Sequence, residues 1–379
     1  MNKERTKKAS ILRNDGFQTT ISSILCILIG FLIGYIVLLI INPKGAGDAI
    51  LAIMKNFLYY SSAVSAKKYL GTTLVKASAL LMCALSVLFA NKVGLFNIGV
   101  AGQYVVGAGA SLYFAVGLGM PWYVSLLAAI VFAAALGGIS GFLKSYFNVN
   151  EVISCIMLNW ISLYCVNMLL STVKESSTPY TKPLSSANKD GLLPNLGLDK
   201  IFSNNKFVTI GVVLSVIAAI FVSILLDKTK FGYELKATGM NKHAAKYCGM
   251  KEKRNIIITM MISGALAGMG AGIFYLSGIE QWMIGQTSIP AMGFNGIAAA
   301  FLGGLNPIGA IFASYFIQHI TSGGTYVDKT MYCTQISDLM IAFIIYLCGF
   351  VFFFKLFLNK YLDKRDEKMA AKAREGGEA

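Results

Sequence analysis

The chain has 379 residues, 56% of them hydrophobic and 13% charged, with a formal net charge of +15. A soluble domain carries about a quarter charged residues, whereas here several apolar stretches reach the ~20 residues that take a helix across ~30 Å of hydrocarbon; a soluble globular protein is excluded. Lys and Arg gather in the tail 1–19, the stretch 227–254 and the tail from 355 rather than in one nucleic-acid patch, and seven scattered cysteines with no C-x-x-C pair frame neither a disulfide scaffold nor a zinc site.

The basic start "MNKERTKKAS" precedes an apolar run from Thr20 to Ile41, too long for a signal-peptide core and followed by further apolar segments, so it reads as an uncleaved first span. The pattern predicts ten spans: 20–41, 72–90, 97–117, 122–142, 151–171, 206–226, 255–277, 288–304, 307–321 and 336–356. In lipid each span must satisfy its own backbone polar groups, so all are helices. The predicted class is an all-α polytopic membrane protein: a basic cytoplasmic tail 1–19, a transmembrane domain 20–356 and a cytoplasmic tail 357–379. With the N-terminus inside, the inner tails and loops hold 22 of the 33 Lys and Arg, which places both termini in the cytoplasm.

Residues 42–70 contain "DAILAIMKNFLYYSSAV", expected as a short amphipathic helix at the outer interface. Lys76 falls near the outer end of the second predicted span, where its stem can snorkel toward the headgroups. From Lys92 to Lys144 no charge interrupts the chain, yet "FNIGVAGQ" (96–103) sets Phe96, Asn97 and Gln103 among glycines. Glycine allows close helix approach, and an unpaired amide in apolar surroundings costs about 1–3 kcal/mol. Such amides therefore either knit helices together or face a water-filled path.

Asn150 and Glu151 open the fifth span as an Asn cap followed by an acid in the first turn. Asn159 sits mid-span as a cavity candidate, and residues 172–205 read as a Ser-, Pro- and Asn-rich outer loop, either a solvated connector or a docking surface. In "NKHAAKYCGM" a short helix starts at Asn241 and stops at Gly249, with Ala244 and Ala245 offering a smooth face rimmed by lysines. A second charge-free stretch, 281–327, holds "FNGIAAAFLGGLNPIGA" with Asn295, Asn306 and a helix-breaking Pro307. Two broken, glycine-rich regions in halves of opposite orientation match the pattern of inverted transporter repeats. His319, without a nearby carboxylate in sequence, reads as a packing residue.

Four stretches, "GLFNIGVAGQ" (94–103), "NEVISCIMLN" (150–159), "GYELKATGMNKHAAKYCGM" (232–250) and "GFNGIAAAFLGGLNPIGA" (293–310), in this order, resemble the permease subunits of ATP-binding-cassette importers for ribose, branched-chain amino acids and nucleosides. The first two are most similar to the nucleoside branch, whose external receptors are basic-membrane-protein-type lipoproteins. The resemblance implies a second permease chain, identical or paralogous, an extracellular binding lipoprotein and cytoplasmic ATPases that use ATP and Mg. It implies a coupling helix at Glu234, Gly239, Asn241, Ala244, Ala245 and Gly249. For such a transporter the residues themselves offer Phe96, Asn97, Gln103, Asn159, Asn295 and Asn306 as candidates to line the solute path, and Phe96, Trp160 and Trp282 as candidates to stack on a base. Ala101 departs from the many relatives that carry Glu before "GQ". No G-x-x-x-x-G-K-[ST] loop occurs, so ATP binding of that kind falls to another chain. The rival readings are a permease for a simple sugar such as ribose or galactose, one for branched-chain amino acids, or an ion-coupled secondary transporter. The last is disfavoured by the scarcity of acids in the spans.

Overall fold

The computed structural model describes residues 15–333, 335–348, 350, 353–357 and 359–365. Residues 1–14 and 366–379 of the two predicted tails lie outside the described residues. In chain order the principal helices are α1 (Asp15–Ile41), α2 (Ala46–Lys55), α3 (Ala63–Lys92), α4 (Val100–Leu112), α5 (Trp122–Phe147), α6 (Glu151–Leu170) and α7 (Gly211–Lys228). They continue with α8 (Lys230–Met240), α9 (Lys242–Tyr247), α10 (Glu252–Tyr275), α11 (Ala291–Leu302), α12 (Pro307–Gly323) and α13 (Ile336–Cys348). Among the described residues there is no strand, only two isolated antiparallel bridges, Lys174 with Thr181 and Tyr180 with Met283.

Each predicted span coincides with a helix. Seven segments are long and apolar enough to cross a membrane: Ile21–Ile41, Ala63–Lys92, Val100–Gly117, Trp122–Phe147, Glu151–Val173, Gly211–Lys228 and Glu252–Tyr275. Among the described residues the helices of the other three are shorter. α11 has 12 residues, about 18 Å at 1.5 Å per residue, short of the ~30 Å of hydrocarbon. The expected interfacial helix in 42–70 is α2.

α3 corrects the sequence reading. It begins at Ala63 rather than residue 72, because Lys67, Lys68 and Tyr69 lower the hydropathy without breaking the helix. Its 30 residues extend about 45 Å, and Lys76 lies halfway along, half-buried, instead of near the outer end.

The chain forms two compact units. In the unit made of the two ends, Met1–Ile50 and Val327–Ala379, α1 packs along α13 through Gly30 and Gly34. A Cβ on Gly30 would stand 2.5 Å from Ile344 Cγ1, and one on Gly34 2.9 Å from Met340 Cε. The Tyr332 hydroxyl donates to the Asn42 carbonyl (2.7 Å).

The larger unit, Leu51–Tyr326, is built around α3, which packs against α7, α10, α11 and α12. Residues 78–90 of α3 are buried without interruption. α5 and α10 meet backbone to backbone: a Cβ at Gly264 or Gly268 would fall on the carbonyls of Ala133 or Ala129, and one at Gly137 on that of Met260. Small residues are what allow such approach in lipid, where packing replaces the hydrophobic drive. The loop 172–205 is folded rather than free. Asn188 Nδ2 donates to the carbonyls of Ala115 (2.9 Å) and Met120 (2.8 Å), and Asn205 Nδ2 to the Lys68 carbonyl (2.7 Å).

Candidate functional site

α3 ends at Lys92, the chain turns through Gly94 with φ of +75°, and helix resumes only at Val100. The interruption is held by buried amides. Asn97 Nδ2 donates to Gln103 Oε1 (2.8 Å) and to Ser263 Oγ on α10 (2.6 Å), while Gln103 Nε2 donates back to Asn97 Oδ1 (3.3 Å). Ser263 Oγ donates to the Ser86 carbonyl of α3 (2.7 Å), which leaves the Ser86 hydroxyl to donate to Ser263 Oγ (2.9 Å). A reciprocal amide pair thus ties α3, α4 and α10 with every polar atom directed at another.

Asn159 closes the same turn from α6. Its Oδ1 accepts from the Gly102 backbone N–H (2.8 Å), and its Nδ2 donates to the Ile98 carbonyl (3.1 Å). Gly102 lies in the first turn of α4, where backbone N–H groups lack partners within the helix, so a neighbouring helix caps it. A Cβ at Gly102 would sit 2.7 Å from the Asn159 Cα, so glycine is required there.

The six path candidates therefore separate. Asn97, Gln103 and Asn159 are buried and bonded, Phe96 and Asn295 are half-buried, and Asn306 is exposed. Asn306 caps α12, its Oδ1 accepting from the N–H groups of Ile308 (2.9 Å) and Gly309 (3.3 Å). The two "FN" pairs also differ locally, since Asn97 lies in a turn and Asn295 within α11. Ala101 is buried where α4 meets α11: a Cβ on Gly293 would stand 2.4 Å from the Ala101 Cα.

Beyond its C-terminal end at Tyr275, α10 runs out into the segment 276–290. Trp282 is buried, its Nε1 donating to Asn167 Oδ1 on α6 (2.9 Å), and Asn167 Nδ2 donates to the Gln286 carbonyl (2.9 Å). The Trp282 ring lies 5.9 Å from that of Tyr275, and Tyr275 lies 6.3 Å from Tyr104. Trp282 is thus an anchor rather than a free stacking surface, whereas Trp160 keeps an exposed face. Glu280 belongs to this segment. Desolvation raises its carboxyl above the ordinary value, with the positive charge of Lys76 pulling the other way. His319 is held by the Met54 carbonyl, to which Nε2 donates (2.9 Å), and by Asn56 Nδ2, which donates to its Nδ1 (3.2 Å).

Between α7 and α10, Thr229 caps α8 through Gly232 N–H (3.0 Å), and Asn241 caps α9 through the N–H groups of His243 and Ala244 (both 3.0 Å). Gly249, at φ of +79°, ends the turn as its sequence position predicts. Glu234 is half-buried and its carbonyl accepts from Thr238 Oγ1 (2.8 Å). The expected smooth face is corrected: Ala244 is exposed, but Ala245 points inward and is buried, because adjacent residues on a helix do not share a face. Met240 and Tyr247 take the outer positions instead, 87% and 95% exposed.

The family described as the branched-chain amino acid transport system / permease component matches residues 69–349. This chain belongs to that family. The permease is 31% identical over 365 residues to the nucleoside ABC transporter permease protein NupB of Lactococcus lactis, covering 92% of this chain and 95% of that protein. It is 33% identical over 282 residues to the guanosine ABC transporter permease protein NupP of Bacillus subtilis, covering 73% and 80%. Over 266 residues it is 30% identical to the glucose ABC transporter permease protein TsgB13 of Haloferax volcanii, covering 67% and 69%. It is a multi-pass membrane protein and a transport subunit, with ATP hydrolysis and solute capture belonging to partner proteins.

Two features of the permease escaped sequence reasoning. The partners of Asn97 lie as far as 166 residues away, a separation no local pattern reports. The Trp282–Asn167 anchor joins an indole and an amide 115 residues apart; the mid-span amide at Asn167 was the available signal.

Proposed function

We propose that this permease conducts nucleosides as one half of an ABC importer in the plasma membrane of a prokaryote, with both termini cytoplasmic. The observation that carries the reading is the end-to-end similarity to a permease named for nucleosides, over 92% of this chain and 95% of that one. Two permease chains, identical or paralogous, enclose the path, an external lipoprotein delivers the solute, and companion ATPases supply ATP and Mg at the inner face. Among the six path residues, Phe96 and Asn295 keep accessible surface and touch the solute. Asn97, Gln103 and Asn159 hold the broken segment that shapes the passage, and Asn306 fixes the turn into α12. The residues of α8 and α9, Glu234 to Gly249, seat in the ATPase. Transport is a shift between outward- and inward-open states, driven by differential contacts in each.

Similarity to a glucose permease supports a second reading, a simple sugar as cargo. Reconstitution with the companion ATPase and receptor separates the two. ATP-dependent uptake of labelled guanosine that excess unlabelled nucleoside abolishes and excess ribose or glucose leaves intact is the expected result. Uptake suppressed by sugar alone overturns the nucleoside assignment, and gradient-driven uptake by this chain without the ATPase overturns the importer.

A further inference from the structure

Lys76 stands halfway along α3, half-buried, between the buried side chains of Val75 and Ala77. An ammonium within a membrane-crossing helix is costly unless it meets a counter-charge or a water-filled passage. The segment after α10 supplies the counter-charge. Ser263 Oγ donates to the Ser86 carbonyl (2.7 Å), and a Cβ on Gly270 would stand 3.0 Å from the Ala79 carbonyl. These two contacts set α3 and α10 antiparallel, and the same register brings Lys76 level with Ile273 in the last turn of α10. The chain then turns through Gly278, at φ of +74°, and presents Glu280.

The backbone that follows Glu280 is clamped by the loop 172–205. Thr181 N–H donates to the Trp282 carbonyl (3.0 Å), Ile284 N–H to the Pro179 carbonyl (2.7 Å), and Gln281 Nε2 to the Thr181 carbonyl (2.7 Å). The Glu280 residue is exposed, yet the protein around it desolvates its carboxyl, and Lys76 acts on it as a nearby positive charge. A group both exposed and desolvated stands in a recess rather than on a convex surface. The two charges do not close on each other: among the described residues neither side chain makes a hydrogen bond or an ion pair. An ammonium only donates and a carboxylate only accepts, so a ligand for the pair must do both. Hydroxyl groups do. Two on adjacent carbons offer a donor to each carboxylate oxygen and keep lone pairs for the ammonium, and bonds to ionised partners are the stronger kind.

We propose that Lys76 and Glu280 form a subsite for vicinal hydroxyls of the solute, the 2′ and 3′ hydroxyls of a ribose, at the end of α10 that faces the receptor when both termini are cytoplasmic. The inference rests on the proposal that the cargo is a nucleoside.

The test compares uptake of guanosine and of 2′,3′-dideoxyguanosine by the complex reconstituted with its ATPase and receptor, for the wild type, Glu280→Ala and Lys76→Met. The receptor's own preference is common to all three and cancels between them. The preference for guanosine over the dideoxy analogue is expected to fall about tenfold in Glu280→Ala, on the order of one hydrogen bond to a charged group, and to fall in Lys76→Met as well. A preference unchanged by Glu280→Ala overturns the subsite and leaves nucleoside import standing. A loss that strikes guanosine and spares adenosine means that the pair reads the guanine edge, which also overturns it. A wild-type complex that takes up no nucleoside overturns the nucleoside reading and the subsite together. If the variants do not assemble, labelling of Glu280 by a water-soluble carbodiimide in the wild-type complex decides, read by peptide mass spectrometry. Protection by guanosine and none by the dideoxy analogue is expected; equal labelling with either overturns the subsite.

Discussion

Asn97 illustrates how one residue's chemistry is readable while its geometry is not. An amide in a 51-residue charge-free stretch announces a need for partners, but the choice between a bonded and a wet amide depends on Ser263 and Ser86 arriving from distant helices. Asn97→Leu strips Gln103 of its amide partner while Ser263 keeps Ser86, and leaves buried amide atoms unsatisfied at a cost of about 1–3 kcal/mol. Adding Gln103→Leu removes the orphaned amide as well, so the double variant is expected to unfold at a higher temperature than Asn97→Leu alone. Thermal unfolding in detergent reads both. Glu280 makes a second prediction at this scale. Its carboxyl is raised above 4.5 by desolvation, so the folded state holds the proton more tightly than the unfolded chain. The stability it contributes is complete below the unfolded value and is lost as pH rises through the folded one. Glu280→Gln cannot ionise, and its unfolding temperature is expected to gain on that of the wild type as the pH is raised from 4.5 to 7.5.

Elements were legible where hydropathy or a cap marked them and illegible where geometry overrode composition. Asn241 and Gly249 bracket α9 in the sequence as they do in the fold, and Asn150 caps α6 by accepting from Val152 N–H (2.9 Å). The start of α3 was not legible, because the residues from Ala63 to Gly71 form helix outside the apolar run and hydropathy registers only the part that suits lipid. α8 was hidden for the same reason: a polar, lysine-bearing helix has no membrane signature. The α5–α10 pairing shows what the glycines of "SGALAGMGAG" do. A Cβ on Gly268 would fall on the Ala129 carbonyl of α5, and one on Gly107 of α4 would stand 2.6 Å from the Gly268 Cα, so three helices meet there. Gly→Ala within an exposed helix ordinarily stabilises by roughly 0.5–1 kcal/mol. At Gly268 the sign is expected to reverse, since the added methyl forces backbones apart at about 1–3 kcal/mol. Chemical denaturation of Gly268→Ala, compared with Gly47→Ala, whose Cβ would meet nothing within 4 Å, measures that reversal.

For the whole molecule, charge and hydropathy predict a membrane-embedded body with a basic inner face, and family membership makes it a transport subunit driven by a separate ATPase. Its inner surface must then do two things: bind a motor and keep its own fold while being pushed. On the proposal that α9 seats in the ATPase, adjacent alanines divide these tasks. Ala245 is buried and its carbonyl accepts from Met250 N–H (3.0 Å), so it belongs to the permease's own packing. Ala244 is exposed beside Met240 and Tyr247, an apolar rim amid lysines that the isolated chain leaves bare. A charge at Ala244 enters only the interface, whereas a charge at Ala245 must first be buried in the permease, a penalty of several kcal/mol when unpaired. Ala244→Glu is therefore expected to keep the wild-type unfolding temperature and lose ATPase in a pull-down. Ala245→Glu is expected to lower the unfolding temperature whether or not the ATPase is present. Equal losses of ATPase binding with both variants fully folded would mean that the two alanines face the partner together and that α9 turns on docking.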